Sequence, residues 1–242
     1  MDAPEQVSNV TRMDRYPAIF SVAKAAAGPD PERILSYGCS TGEEPLTLAQ
    51  NYFPGSQILG VDVSDEALAR AQIITEGVAN VRIARSGRQT IAEAGPYDII
   101  FAMSVLCRNP LPKDHRDVFP FVRFEHLVAG LMDCLKTGGL LVIANANYTL
   151  TQSRLIRFFD LVADSSMRDQ GQVWRLASDG TPLEPPTGKT GRATIGTDCM
   201  FRKRADPWPD GPNVPLRVTA PDGAELVTIW LGNLPSQSTL SI

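Results

Sequence analysis

Ile34-Leu35-Ser36-Tyr37-Gly38-Cys39-Ser40-Thr41-Gly42-Glu43-Glu44-Pro45 is the stretch that decides the fold of this chain. It lies at the end of a short apolar run, Arg33 to Tyr37, turns between two glycines and leads into a helical segment from Glu44 to Asn51. A buried strand, a tight loop and a helix in that order form the opening unit of an α/β sheet. Gly38 and Gly42 allow a sharp turn and a close approach to a ligand, with no Cβ in the way. Pro45 suits the first turn of the helix, where its missing N–H has no partner in any case.

The same unit repeats downstream. Gln57 to Val61 reads as a strand and Asp65 to Glu76 as a helix, with Ser64 as its N-cap and Asp65 and Glu66 in its first turn. Val81 to Ala84 and Tyr97 to Ala102 are two further strands. Phe121 to Leu135 has a helical apolar pattern, Lys136-Thr137-Gly138-Gly139 ends it, and Leu140 to Ala144 is a continuous apolar strand. Upstream, Tyr16, Ile19, Phe20 and Ala23 predict a helix over 16–27. Short apolar strands alternating with helices predict an α/β fold: a Rossmann-like parallel sheet of about seven strands, helices on both faces, and an antiparallel last strand.

Three regions follow: an N-terminal helical segment at 1–30, a main domain at 31–204 and a C-terminal extension at 205–242. Leu155 to Ala163 reads as a helix, and Asp179-Gly180, Pro182, Pro185-Pro186 and Gly188 mark a turn-rich stretch. Thr194 to Arg202 is a further strand candidate. Pro207, Pro209, Pro212 and Pro215 predict a loop over 205–216, and Ala224 to Leu231 is either a terminal strand or loosely packed.

A chain of 242 residues, 43% hydrophobic, has enough apolar surface for a substantial core. Its net charge of -4 argues against a nucleic-acid partner, since phosphate backbones select surplus Lys and Arg. Cys39, Cys107, Cys134 and Cys199 form no CxxC pair, and the two histidines are too few to complete a zinc site with them, so no metal is expected. No basic leader with an apolar run opens the sequence, and no apolar stretch approaches the ~20 residues that span a bilayer. The expectation is a cytoplasmic protein with reduced thiols and no membrane partner.

The glycine loop meets neither the GxGxxG nor the GxxxxGK[ST] pattern. Glu43 and Glu44 lie where a pyrophosphate would need to sit, so an anion is repelled and an ammonium or sulfonium is attracted, by ~1 kcal/mol at 4 Å in water. Asp62 closes the second strand about 20 residues on, where a carboxylate can accept hydrogen bonds from both ribose hydroxyls. Its other reading is a helix N-terminal acid.

With Gly-Val-Asp-Val-Ser (60–64), Tyr-Asp-Ile-Ile-Phe (97–101) and Leu-Lys-Thr-Gly-Gly-Leu-Leu (135–141), the loop resembles the class I S-adenosylmethionine-dependent methyltransferases over residues 31–146. The loop itself is most similar to that of the chemotaxis-receptor glutamate methyltransferases, which also join Ser-Thr-Gly to Glu-Glu-Pro. The resemblance implies S-adenosyl-L-methionine as cofactor. Tyr37, Gly38, Cys39, Ser40 and Gly42 would line its methionine and ribose portion, Glu43 would face its ammonium, and Asp62 would take the ribose hydroxyls. Val63 would lie against adenine and Ser86 at its edge, with Ala102 and Met103 beside the sulfonium. Two departures weaken the chemotaxis analogy: Met103-Ser104 replaces an Arg-Asn pair, and the short leader lacks a helical domain.

A methyl acceptor is expected to be a small molecule. His115, in the loop beyond the fourth strand, is the candidate general base if one is used, and a surface role is its other reading. His126 reads as a partly buried structural residue. Phe119, Phe121 and Phe124 form either a helix core or an apolar wall for a substrate, and Arg12, Arg15, Tyr16, Asn145 and Tyr148 are further candidates to cover the cofactor or meet the acceptor. A nicotinamide oxidoreductase of similar fold and a non-catalytic cofactor-binding subunit stay open as alternatives.

Overall fold

The computed structural model describes residues 11–167, 173–184 and 199–232. The first half alternates as the sequence predicts: α1 (Pro17–Ala27), β1 (Arg33–Tyr37), α2 (Glu43–Thr47), β2 (Gln57–Asp62), α3 (Asp65–Ile74), β3 (Val81–Arg85), α4 (Arg88–Ala94) and β4 (Tyr97–Met103). α5 (His115–Val118), α6 (Phe121–Asp133) and β5 (Leu135–Ala144) follow. A wide π turn at Leu48–Tyr52 continues α2. α4 escaped the sequence reading because it buries only Ile91 and so carries no apolar stripe.

The second half departs further. Leu155 to Ala163, expected to be helical, divides into a 3-10 turn at Arg154–Phe158 and the strand β6 (Phe159–Val162). A short apolar run fits either period, and here sheet pairing decides it. β7 (Arg175–Leu176) and β8 (Pro182–Glu184) form a small hairpin in the turn-rich stretch. β9 (Met200–Lys203) occupies the end of the Thr194 to Arg202 candidate, whose residues 194–198, like Gly188, lie outside the described residues. The expected loop over 205–216 ends early, because β10 (Asn213–Thr219) begins within it. Pro215 is tolerated there: β6 pairs with β10 only at Val218 and Thr219, so the proline takes no donor from that ladder. The terminal strand, β11 (Glu225–Gly232), is present.

One nine-stranded sheet runs β3-β2-β1-β4-β5-β9-β6-β10-β11. The pairs among β1 to β5 are parallel, whereas β9 is antiparallel to both β5 and β6, and β11 to β10. Consecutive residues of each strand face opposite sides, so Leu35, Ile100 and Leu141 pack against Phe124, Leu127 and Val128 of α6 on one face. Ile34, Ile99 and Leu140 pack against Ile19, Phe20 and Ala23 of α1 on the other. Asp160 of β6, 2% exposed, is held by ion pairs with Arg204 and Arg217, which lock β6 to the chain leaving β9 and to β10.

The strand order reverses between β1 and β4. Parallel sheets of this kind bind ligands in the crevice beyond the carboxyl ends at such a switch point. Here that crevice is bounded by the loop after β1 and the segment after β4.

Candidate active site

The loop after β1 is fixed from three directions. Gly38 N–H and Cys39 N–H both donate to Val61 O, at 2.8 and 2.9 Å, which folds the loop over the end of β2. Ser40 N–H donates to Asp62 Oδ2 at 2.8 Å, and Ser64 N–H to Asp62 Oδ1 at 3.0 Å. Each carboxylate oxygen thus keeps lone-pair capacity toward the crevice. Ser64 caps α3 as expected, its Oγ accepting from Ala67 N–H.

Gly38 and Gly42 have φ of 77° and 95°, in the region that glycine occupies most readily. A Cβ on Gly38 would lie 2.4 Å from Val105 Cγ2, and one on Gly42 would lie 2.9 Å from Ala71. Cys39 is buried with its thiol toward Gly60, and burial together with the charges of Asp62 and Glu44 raises its pKa well above the ordinary value. The thiol stays neutral and fills space.

The two loop carboxylates separate in role. Glu43 accepts from Thr41 Oγ at 2.7 Å within the loop. Glu44 turns back under β1, accepting from Ser36 Oγ at 2.8 Å. Burial pushes the Glu44 carboxyl up to about 7, against the opposing effects of the Ser36 hydrogen bond and the Arg15 charge.

The far rim of the crevice comes from β4, β5 and the N-terminal segment. Ser104 Oγ lies 2.5 Å from Tyr16 Oη and accepts from Asn145 Nδ2 at 2.7 Å. Ser40, Ser104 and Asn145 all have positive φ, 50°, 57° and 57°, at the ends of β1, β4 and β5. Backbone strain of this type costs of order 1–3 kcal/mol per residue and gathers at functional sites. The leader is pinned over the crevice by Asp14, whose N–H donates to Thr47 Oγ1 at 3.0 Å and whose carboxylate accepts from Tyr52 Oη at 2.8 Å.

With a glycine loop, an acid at the end of the second strand and a switch-point crevice in one place, comparison with known families becomes informative. Residues 12–182, well over half of the chain, match the family described as Methyltransferase domain. The chain belongs to that family. The methyltransferase domain is 31% identical over 158 residues to the trans-aconitate 2-methyltransferases of Acidovorax sp. (strain JS42) and Acidovorax ebreus (strain TPSY), covering 64% of this chain and 53% of each relative. It therefore spans about half the length of those curated relatives. Among solved structures it is similar to the plantazolicin methyltransferase BpumL in complex with a desmethylPZN analog and SAH, at 17% identity and a TM-score of 0.40, over 54% of this chain and 47% of that one. The N-terminal domain of EvdMO1 in the presence of SAH and D-fucose is similar at 20% identity and a TM-score of 0.41, over 79% and 69% of the two chains.

The remaining sequence candidates are distributed unevenly around this methyltransferase crevice. Tyr37, Gly38, Cys39, Ser40 and Gly42 form the loop, with Asp62 and the half-buried Val63 beside it. Ser86 follows β3, its N–H donating to Asp62 O at 2.7 Å. Ala102 and Met103 are buried in the cores of opposite sheet faces, and the partly exposed residues at that point are Ser104 and Val105. The sequence reading passed over both of these; the steric closeness of Val105 to Gly38 is a tertiary fact with no local signal.

His115 lies with Nδ1 3.0 Å from Pro112 O and Nε2 2.8 Å from Gly180 O, so both ring nitrogens already face carbonyls. Acting as a base would first require one of these contacts to break. His126 is exposed, not partly buried, because the buried stripe of α6 runs Phe121, Phe124, Leu127, Val128 and Leu131 and leaves position 126 off that face. Phe119, Phe121 and Phe124 are buried around Tyr148, whose Oη donates to Phe119 O at 3.0 Å, and they form core, not a substrate wall. Among the described residues no group of three or more His, Cys, Asp or Glu is placed to hold a metal ion, and no helix is long and apolar enough to cross a membrane.

Proposed function

We propose that this domain is an S-adenosylmethionine-dependent methyltransferase acting on a small carboxylic acid. The observation that carries the first half is the pinned Asp62 carboxylate beside a loop stripped of Cβ atoms at Gly38 and Gly42. The free lone pairs of Asp62 suit a ribose diol, and the Glu43 carboxylate favours a ligand bearing an ammonium and a sulfonium. The cofactor supplies a methyl group activated on positively charged sulfur. The chain's own contribution is to hold the donor against the loop and to align an acceptor beyond β4, since proximity and orientation alone can supply up to ~7–11 kcal/mol of a barrier.

Three observations support a carboxylate acceptor. The relatives from Acidovorax are named for trans-aconitate, a tricarboxylate. The half-buried Arg175 guanidinium donates from Nη1 to Ala146 O at 3.2 Å, just past the end of β5, a positive charge that suits an anionic acceptor. A carboxylate is also deprotonated already at neutral pH and needs no base, in keeping with the engaged nitrogens of His115. The acceptor oxygen forms a bond to the methyl carbon as the sulfur–methyl bond breaks, and no proton moves.

The test is incubation of the purified chain with methyl-labelled S-adenosylmethionine and a panel of small mono-, di- and tricarboxylates, hydroxy acids and amines. A labelled product that releases methanol in mild alkali is the expected methyl ester. Label retained after alkali, on nitrogen, carbon or an ether oxygen, would contradict the carboxylate reading while leaving methyl transfer intact.

A further inference from the structure

Three polar side chains from separate segments converge at the carboxyl ends of β4 and β5: Tyr16 ahead of α1, Ser104 after β4 and Asn145 after β5. Tyr16 and Asn145 are buried, whereas Ser104 is partly exposed, so the cluster meets the crevice through Ser104. Val105, the next residue, packs so closely on Gly38 that a Cβ there would lie 2.4 Å from it, which keeps Ser104 one residue from the glycine loop. Ser104 and Asn145 both have φ of 57°, a conformation that glycine adopts at lower cost, and both use the side chain that glycine lacks to make this contact.

A hydroxyl oxygen has two lone pairs and one proton. Asn145 Nδ2, which only donates, fills one lone pair of Ser104 Oγ at 2.7 Å. Tyr16 Oη lies 2.5 Å from the same oxygen, and a phenol is a stronger acid than an alcohol, so the Tyr16 O–H is the better donor and fills the second. What Ser104 then has to give is its own O–H, along the remaining tetrahedral direction. Two donating neighbours also polarise that O–H, because hydrogen bonds in a chain strengthen one another. A group that only donates selects a partner that only accepts, and an ionised carboxylate is one. Arg175 Nη1, on the carbonyl of Ala146 beside Asn145, brings positive charge to the same strand end. Resting on the carboxylate reading above, we infer that Ser104 is the residue that binds the methyl acceptor: its O–H, oriented by Tyr16 and Asn145, donates to the carboxylate oxygen that is not methylated and leaves the other oxygen to attack the methyl group.

The carboxylate carries its full charge before transfer and becomes a neutral ester after it, so a hydrogen bond to it weakens as the methyl group crosses. Ser104 therefore serves binding of the acid and not acceleration of the step. Ser104→Gly removes the hydroxyl at a φ that glycine adopts readily, and Tyr16→Phe removes one of the two orienting donors. For an acid of the carboxylate panel that the wild-type chain methylates, Ser104→Gly should raise KM roughly 10- to 100-fold, the worth of one hydrogen bond to a charged group, with kcat within about threefold of wild type. Tyr16→Phe should raise KM in the same direction by less. Both variants should bind S-adenosylhomocysteine with wild-type affinity in isothermal titration, which shows that the crevice is intact. An unchanged KM in Ser104→Gly, a kcat that falls as far as KM rises, or a matching loss of donor affinity would overturn the proposal while leaving carboxylate methylation standing. A wild-type chain that methylates none of the acids contradicts the carboxylate reading itself, and the role of Ser104 falls with it.

Discussion

Ser40 and Asp62, 22 residues apart, meet through a 2.8 Å hydrogen bond from the Ser40 N–H to Asp62 Oδ2, so the acid that faces the crevice also fixes the shape of the loop opposite it. Asp62→Ala removes the ribose partner and the loop tether together. Hydrogen bonds to charged groups contribute about 1.5–3 kcal/mol, so affinity for S-adenosylhomocysteine should fall roughly 10- to 100-fold. Isothermal titration measures this, and an unchanged dissociation constant would contradict the role.

Gly38→Ala tests the steric claim about the loop. Its Cβ would lie 2.4 Å from Val105 Cγ2 and its φ of 77° is unfavourable for alanine. Strain and overpacking together should cost about 2–5 kcal/mol in urea unfolding. Adding Val105→Ala should recover the overpacking part, so the two substitutions should be clearly non-additive; simple additivity would separate Val105 from the loop.

Glu44 gives the protein a pH dependence of definite sign. Its carboxyl is raised from 4.5 to about 7 by burial, so between those values the folded state holds a proton that the unfolded state has released. Stability from this group is therefore present at the acid end and declines as pH rises through the window. Glu44→Gln, which cannot ionise, should raise the melting temperature relative to wild type near pH 8 and change it little near pH 4.5. A shift of equal size at both pH values would argue against a proton held at Glu44.

His115 joins the loop after β4 to Gly180 through its two ring contacts. His115→Ala should cost about 0.5–1.5 kcal/mol of stability, one neutral hydrogen bond's worth, because a neutral imidazole has a single N–H to give the two carbonyls, and it should leave donor affinity unchanged. Turnover reduced more than about a hundredfold with stability intact would give it the role of base instead.

Most of the sheet from β1 to β5 was legible because β1, β2, β4 and β5 each hold a run of consecutive apolar residues and α3 and α6 carry a cap or a stripe, as Ser64 does for α3, whereas α4 carries neither. β6 was not, since Phe159 to Val162 fits two periods and becomes a strand through Asp160 meeting Arg204 and Arg217, which are 44 and 57 residues away. The glycine loop and Asp62 could be read locally for the same reason that they are rigid: positive φ and a strand-end acid leave marks in sequence. The opposite rim left fewer: Tyr16 and Asn145 stand among the sequence candidates, whereas Ser104 does not. Tyr16, Ser104 and Asn145 come from three separate segments, and nothing at any one position announces the other two.

Calorimetry of the wild-type chain with S-adenosylhomocysteine, set beside NAD, tests the central claim most directly. Saturating S-adenosylhomocysteine, at about 100 times its dissociation constant, should add ~2.7 kcal/mol and raise the melting temperature by roughly 5–10 °C, with NAD giving no shift. Stabilisation by NAD and none by S-adenosylhomocysteine would contradict the account of the glycine loop and Asp62.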